Sequence, residues 1–354
     1  VKTVEGPHLY KNNGYYYIFA AQGGTTWTHQ EVVARSKELH GPYETEPGDP
    51  FITNFDTPDH CLQKQGHGAL VETPSGEWYY ASLCGRPLHH AIENFYDPRG
   101  WCTLGRETSI QKVYWDEEGW PRIEGGHGGL VEVDAPKDAI LTEAPKTHAV
   151  YDDFMAEQLD GEWNTLRVPF SEHMGSVGAG SLKLIGRGSL SNRFDLSLVA
   201  RRWRDFAFAA VTKVKFDPYS YQAMAGIVNY YNNEHWSWIF ITRDDKDNRV
   251  IEAAECDNGK YTSVLKEDAV IIPEGTEWVW FKTVVDHLDY WYEYSFDGET
   301  WHRIPVKLDA MVLSDDYVMS HYGGFFTGAF VGLAAVDYSG YGSEAEFGFF
   351  EYCV

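Results

Sequence analysis

The chain has 354 residues, a length that points to two or three domains. Lys and Arg total 29 against 53 Asp and Glu, a formal charge of −24, so a polyphosphate backbone or an anionic membrane surface would repel it, which argues against nucleic-acid and membrane partners. Aromatic residues make up 16% of the chain, far too many for a disordered acidic tail, and apolar stretches such as residues 330–336 fall short of the roughly 18 residues a membrane helix needs.

Helical periodicity is almost absent. Short runs rich in Val, Ile, Tyr, Trp and Phe predict strands at 15–20, 31–35, 68–72, 77–83, 206–216, 236–243, 278–286 and 288–296. Turn signals separate them: Asn12-Asn13-Gly14, Pro74-Ser75-Gly76, Asp257-Asn258-Gly259 and Asp297-Gly298. The fold class is therefore all-β. From residue 1 to about 134 the strands are short and joined by long loops carrying His, Cys, Gly and Trp. After the linker-like stretch 135–147 the strands lengthen and alternate more strictly, as in Trp278-Val279-Trp280-Phe281, which reads as a β-sandwich hairpin with inward and outward faces. The expected domains are 1–138 and 139–354.

Within the first domain, Gly6-Pro7-His8-Leu9-Tyr10 with Gly14-Tyr15-Tyr16-Tyr17 shares a plan with Gly66-His67-Gly68-Ala69-Leu70 and Gly76-Glu77-Trp78-Tyr79. Each is a Gly/His loop, a strand, a tight turn and an aromatic strand, the form of propeller blades. Two blades and a fraction cannot close a ring, so further blades are expected upstream, in the same or a separate chain.

Cys61, Cys84, Cys102, Cys256 and Cys353 are odd in number and scattered, with no CxxC pair. That pattern speaks against a disulfide framework or a zinc site and for buried free thiols in a reducing, cytoplasmic setting. The opening Val1-Lys2-Thr3-Val4-Glu5 has no basic region followed by an apolar one, so it is not expected to be a signal peptide or a natural start.

Glu5-Gly6-Pro7-His8-Leu9-Tyr10 followed by Gly14-Tyr15-Tyr16-Tyr17-Ile18-Phe19 resembles the general-acid segment of glycoside hydrolase family 43. The likeness continues through Gly23-Gly24-Thr25, Ala34-Arg35-Ser36, Gly41-Pro42-Tyr43, Gly66-His67-Gly68, Gly105-Arg106-Glu107-Thr108 and Gly119-Trp120-Pro121. From Tyr151-Asp152-Asp153-Phe154 to Gly324-Phe325-Phe326-Thr327-Gly328 the chain is similar to that family's β-xylosidase C-terminal sandwich. The resemblance implies the last blades of a five-bladed β-propeller followed by a concanavalin-like β-sandwich.

It further implies an inverting exo-hydrolase that removes xylose from the non-reducing ends of xylo-oligosaccharides. Such chemistry needs one carboxylic acid for the leaving oxygen and one carboxylate to activate water. The resemblance makes Glu5 the acid and places the catalytic base in earlier blades. Arg106 would hold sugar hydroxyls with its forked donors, against the alternative of a surface ion pair. Thr25 and His29 would line the pocket or orient Glu5, against a polar turn. His67 would lie near a hydrated calcium or similar divalent ion, against a core histidine with one hydrogen bond. Phe325 and Phe326 would close the sugar pocket, Phe326 packing on the second sugar, against a hydrophobic corner. A homo-oligomer is expected, and no organic cofactor. An α-L-arabinofuranosidase of the same family and a non-catalytic carbohydrate-binding fragment are the alternative functions.

Overall fold

A computed structural model describes residues 3–90, 99–140, 142–143, 147–265, 268–321, 324 and 326–354. The chain divides into two compact units, Val1–Ala144 and Pro145–Val354, where the sequence suggested 1–138 and 139–354.

The first unit holds two antiparallel sheets. Strands β1 (Val4–Asn12), β2 (Tyr15–Gln22), β3 (Gln30–Ser36) and β4 (Glu44–Thr45) follow one another across the first sheet, and β5 (Ile52–Thr53) also pairs with β3. Strands β6 (Gln63–Glu72), β7 (Trp78–Gly85), β8 (Glu107–Trp115) and β9 (Pro121–Ile123) make the second in the same order. Each is the meander of a propeller blade. The β1–β2 turn is closed by Asn13 and Gly14 at φ 46° and 83°, the positive pair that a two-residue hairpin requires. Alternate residues Tyr17 and Phe19 of β2 point inward and join Val33, Phe51, Leu70, Tyr80, Val113 and Trp120 in one core. Phe51 meets Phe19 edge-on at 5.3 Å and Tyr80 edge-on at 5.1 Å, so a single ring stitches the two sheets together. A ring buried in this way contributes roughly 1.5–3 kcal/mol, and Phe51→Ala is the change that would open this core.

Strand β6 starts at Gln63 rather than near residue 68 because it carries two register shifts, between Gln63 and Gly66 and between Gly66 and Ala69. Lys64 and His67 take positive φ there, 58° and 53°. The unpaired residues of such bulges bend the strand and re-aim their side chains.

The second unit is a two-sheet β-sandwich. One sheet runs through Gly175–Gly178, Ser181–Ile185, Glu344–Cys353, Ala207–Lys215, Val279–Asp286, Asp289–Ser295 and His302–Arg303; the other runs through Ser197–Arg202, Phe330–Asp337, Ala223–Asn232, His235–Arg243, Arg249–Asp257 and Lys260–Ser263. The hairpin of Val279–Asp286 and Asp289–Ser295 alternates buried and half-buried positions, as its sequence predicts. His235–Arg243 does not alternate, because both of its faces are covered. Toward the opposite sheet the Ser237 hydroxyl meets Tyr290 and Tyr292 at 2.7 and 2.8 Å. On its other face Trp236, Trp238 and Phe240 pack with Leu190 and Leu196.

In keeping with an almost helix-free chain, the described residues add to the strands one short helix, Asp315–Ser320, after a 3₁₀ turn at Ala310–Leu313. Ser314 caps it by accepting from the Tyr317 amide, with Asp315 and Asp316 in the first turn, a start signal compact enough to pass unnoticed among β-forming residues. The thiols depart in part from expectation. None of the five is in a disulfide, yet Cys61, in the loop before β6, is exposed and Cys353, off the inward phase of its strand, is only half-buried. Among the described residues no helix is long and apolar enough to cross a membrane.

Candidate active site

Four segments of the first unit bring the expected residues together. Glu5 lies on β1, opposite Ala21 of β2, at a register shift before His8. The turn that aims it requires Gly6 at φ 58°, and a Cβ there would come within 2.4 Å of the His67 ring. The Glu5 side chain is 51% exposed and its Oε1 stands 3.8 Å from Nδ1 of His67. That separation suits an electrostatic contact and is too long for a direct hydrogen bond.

His67 owes its position to its neighbours. A Cβ on Gly68 would lie 2.4 Å from the Ala81 carbonyl oxygen and 2.5 Å from the Tyr80 ring. The His67 amide donates to Oε2 of Glu31 at 2.7 Å. Glu31 is fully buried, and its Oε1 has no hydrogen-bond partner among the described residues. Burial pushes its carboxyl up to about 7, although Tyr80 and the His67 and Gly68 amides pull in the other direction. Tyr80's own burial, and after it the Glu31 charge, hold the Tyr80 phenol well above its ordinary value.

The 23–29 loop supplies the next pair. It is stiffened by the Thr28 hydroxyl on the Gly23 carbonyl at 3.0 Å and by the His29 amide on the Thr26 carbonyl at 3.0 Å. Thr25 accepts a hydrogen bond from Nη2 of Arg106, which reaches across from the start of β8. His29 is buried and its Nδ1 lies 2.9 Å from the Lys64 carbonyl. A carbonyl can only accept, so Nδ1 carries the proton and Nε2 of the neutral ring is an acceptor. Burial lowers the His29 pKa first, and the Arg106 and His67 charges add to that, while the Lys64 carbonyl and Glu5 oppose it. The His29 and His67 rings are 6.4 Å apart. Glu5, Thr25, His29, His67 and Arg106 therefore form one neighbourhood.

Glu31 was missed by the sequence reading, and a signal for it existed. In Gln30–Ser36 the buried positions are Glu31, Val33, Arg35 and Ser36, so an acid occupies the inward phase of a strand where a hydrophobe is expected. For the divalent ion expected near His67, the described residues offer that imidazole and no gathering of three His, Cys, Asp or Glu side chains. One imidazole contact, with water completing the shell, is all that the expected hydrated ion asks of this chain.

Phe326 belongs to the second unit, between the short helix and strand Phe330–Asp337, and is 57% exposed. The backbone two residues on is tied down where the Gly328 amide donates to Oδ1 of Asp315 at 3.2 Å. Phe325 lies outside the described residues.

Comparison with known proteins adds a second line of observation. Residues 1–121 match the family described as glycosyl hydrolases family 43, and residues 151–353 match the beta xylosidase C-terminal concanavalin A-like domain. A protein of Bacillus subtilis named beta-xylosidase is 42% identical over 99% of this chain and 65% of its own length. Xylosidase/arabinosidase 43B of Humicola insolens is 34% identical over 99% of this chain and 63% of its own. The crystal structure of xylan beta-1,4-xylosidase from Bacillus halodurans C-125 superposes with a TM-score of 0.90 at 39% identity, covering 100% of this chain and 65% of that one. The chain thus spans about two thirds of the length of the relatives it matches.

Proposed function

The chain belongs to glycosyl hydrolase family 43, and from that membership we propose that it carries the general acid of an inverting exo-hydrolase that releases xylose from the non-reducing ends of xylo-oligosaccharides. The observation that carries the reading is the half-exposed Glu5 carboxyl, 3.8 Å from His67, in the same neighbourhood as the Thr25–Arg106 hydrogen bond and the neutral His29.

The chemistry follows from what the bond demands. A sugar alkoxide is a poor leaving group, so the glycosidic oxygen takes the Glu5 proton as its bond to the anomeric carbon breaks. Water attacks the opposite face, gives its proton to a second carboxylate, and leaves xylose with inverted configuration. In this proposal an N-terminal portion of the enzyme, in the same or a separate chain, supplies that carboxylate. Two considerations support this: the first unit contributes two sheets where the family reading has five blades, and the Bacillus subtilis relative is longer. Arg106, which donates to Thr25, brings a planar guanidinium suited to sugar hydroxyls into this neighbourhood. His29, with its Nδ1 proton held by the Lys64 carbonyl, offers Nε2 as an acceptor without adding charge.

The test is the complete enzyme, this chain together with its N-terminal portion, acting on xylobiose while the anomers are followed by proton NMR. Xylose released first as the α-anomer is the expected result. Faster release of arabinose from an aryl α-L-arabinofuranoside would favour the arabinofuranosidase reading, and binding of xylobiose without cleavage would overturn hydrolysis altogether.

A further inference from the structure

The sandwich unit carries a cleft of about 590 Å³, within the range of ligand sites, between the segment 185–195 and the turn that follows strand Phe330–Asp337. Its two rims are joined by backbone hydrogen bonds. The Asp337 amide donates to the Arg187 carbonyl at 2.7 Å and the Gly186 amide to the Ser343 carbonyl at 2.8 Å.

The turn is built around one buried carboxylate. Asp337 accepts from the Tyr219 hydroxyl at 3.0 Å and from the Ser339 and Ser343 amides at 2.9 and 2.8 Å. These bonds fix the backbone that bears Tyr338, which lines the cleft, and Tyr341, whose neighbours Gly340 and Gly342 line it. Both rings face solvent, Tyr338 at 57% and Tyr341 at 83% exposure. Tyr341 is nevertheless steadied edge-on by Tyr219 at 5.6 Å. Two exposed rings on a rigid turn are not needed for packing, which is the pattern of a binding surface rather than a core.

The polar lining narrows the ligand class. Arg187 and Asp195 form an ion pair there and the Asp337 carboxylate lies beside them, so donors and acceptors stand side by side with a net negative charge. Asn192 commits its Oδ1 to the Phe194 and Asp195 amides, which leaves its NH₂ group as a donor. Aromatic faces beside a mixture of donors and acceptors fit the apolar faces and hydroxyls of a sugar ring. They do not fit a polyanion, which a chain of charge −24 would repel. We infer that this cleft binds a neutral oligosaccharide, with Tyr338 and Tyr341 as stacking surfaces and Arg187, Asp195 and Asn192 as partners of its hydroxyls.

Only the choice of xylohexaose as probe rests on the function proposed above. Calorimetric titration of the full chain with xylohexaose should give saturable binding. Tyr338→Ala, Tyr341→Ala and Arg187→Met should each weaken it about tenfold, while Tyr151→Ala, which removes an exposed ring from strand Val150–Asp152, should not change it. The cleft variants should leave the rate of xylobiose hydrolysis by the complete enzyme unchanged, so loss of hydrolysis and loss of this binding are read separately. Because Tyr341 is almost fully exposed, its variant folds even if Tyr338→Ala does not. Equal affinity in wild type and the cleft variants would overturn the inference, as would the absence of binding. Loss of a concentration-dependent dimer in the same variants, with sugar binding intact, would overturn it too and assign the surface to a second copy of the chain.

Discussion

The backbone N–H of His67 donates to Oε2 of Glu31 at 2.7 Å, and the imidazole of the same residue stands 3.8 Å from the Glu5 carboxylate. A buried acid on β3 therefore sets the backbone of the residue that faces the exposed acid on β1. The two carboxyl groups have opposite environments. Glu31 is sealed from water and Glu5 is half open to it.

The first prediction concerns stability. Folded, Glu31 keeps its proton to about pH 7; unfolded, it releases it near the ordinary 4.5. Between those values the native state binds the extra proton, so rising pH costs stability across that window. The cost is absent below 4.5 and complete above about 7. Glu31→Gln keeps an acceptor for the His67 amide and has no proton to lose. Urea unfolding at pH 4.5 and pH 8 should show the variant gaining on the wild type by on the order of 3 kcal/mol at the higher pH. A difference that does not change with pH would mean Glu31 titrates normally.

The second separates strain from collision. Gly14 has φ 83° and nothing within 4 Å of a built Cβ, whereas at Gly68 a Cβ would meet the Ala81 carbonyl oxygen at 2.4 Å. Gly14→Ala should cost about 1 kcal/mol through the left-handed backbone alone. Gly68→Ala has to move backbone, should cost about 3 kcal/mol or more, and should shift the His67 ring resonances in NMR spectra. Equal costs would show that the Gly68 backbone yields easily.

How much of this was legible beforehand depended on whether a feature is local. The Asn13-Gly14 turn and the alternation of Val279–Asp286 follow from a few neighbouring residues, and both stand where the sequence puts them. Gly66-His67-Gly68 was legible as a Gly/His loop before a strand at 68–72, but not as part of β6, which begins at Gln63 through bulges set by pairing with β7. The double-sided burial of His235–Arg243 depends on Leu190 and Leu196, some forty residues away in sequence. The sandwich cleft is less local still, because Arg187 meets the strand ending at Asp337. Glu31 was one acid among many, and only its inward phase beside Val33 set it apart.

The third prediction addresses the pocket wall. Arg106 donates to Thr25 across the site, so Thr25→Val leaves the guanidinium less fixed without removing it. KM for xylobiose should rise about three- to tenfold with kcat little changed, the signature of lost uniform binding. Arg106→Lys keeps the charge and loses the planar fork, and its loss in kcat/KM should exceed that of Thr25→Val. A larger effect from Thr25→Val would place Thr25 itself on the substrate.

The last prediction tests the acid in the complete enzyme. Glu5→Gln preserves the shape of the side chain and its place beside His67 but removes the proton to be donated. General acid catalysis contributes about a hundred- to ten-thousandfold, and its value grows with the basicity of the leaving group. Xylobiose must expel a sugar alkoxide, which cannot depart readily without that proton. A dinitrophenyl xyloside expels a stabilised phenolate and hardly needs it. Steady-state rates should therefore fall to near nothing on xylobiose while a substantial fraction survives on the aryl substrate. If both substrates lose activity equally, Glu5 serves water activation or structure, and the proton must come from elsewhere.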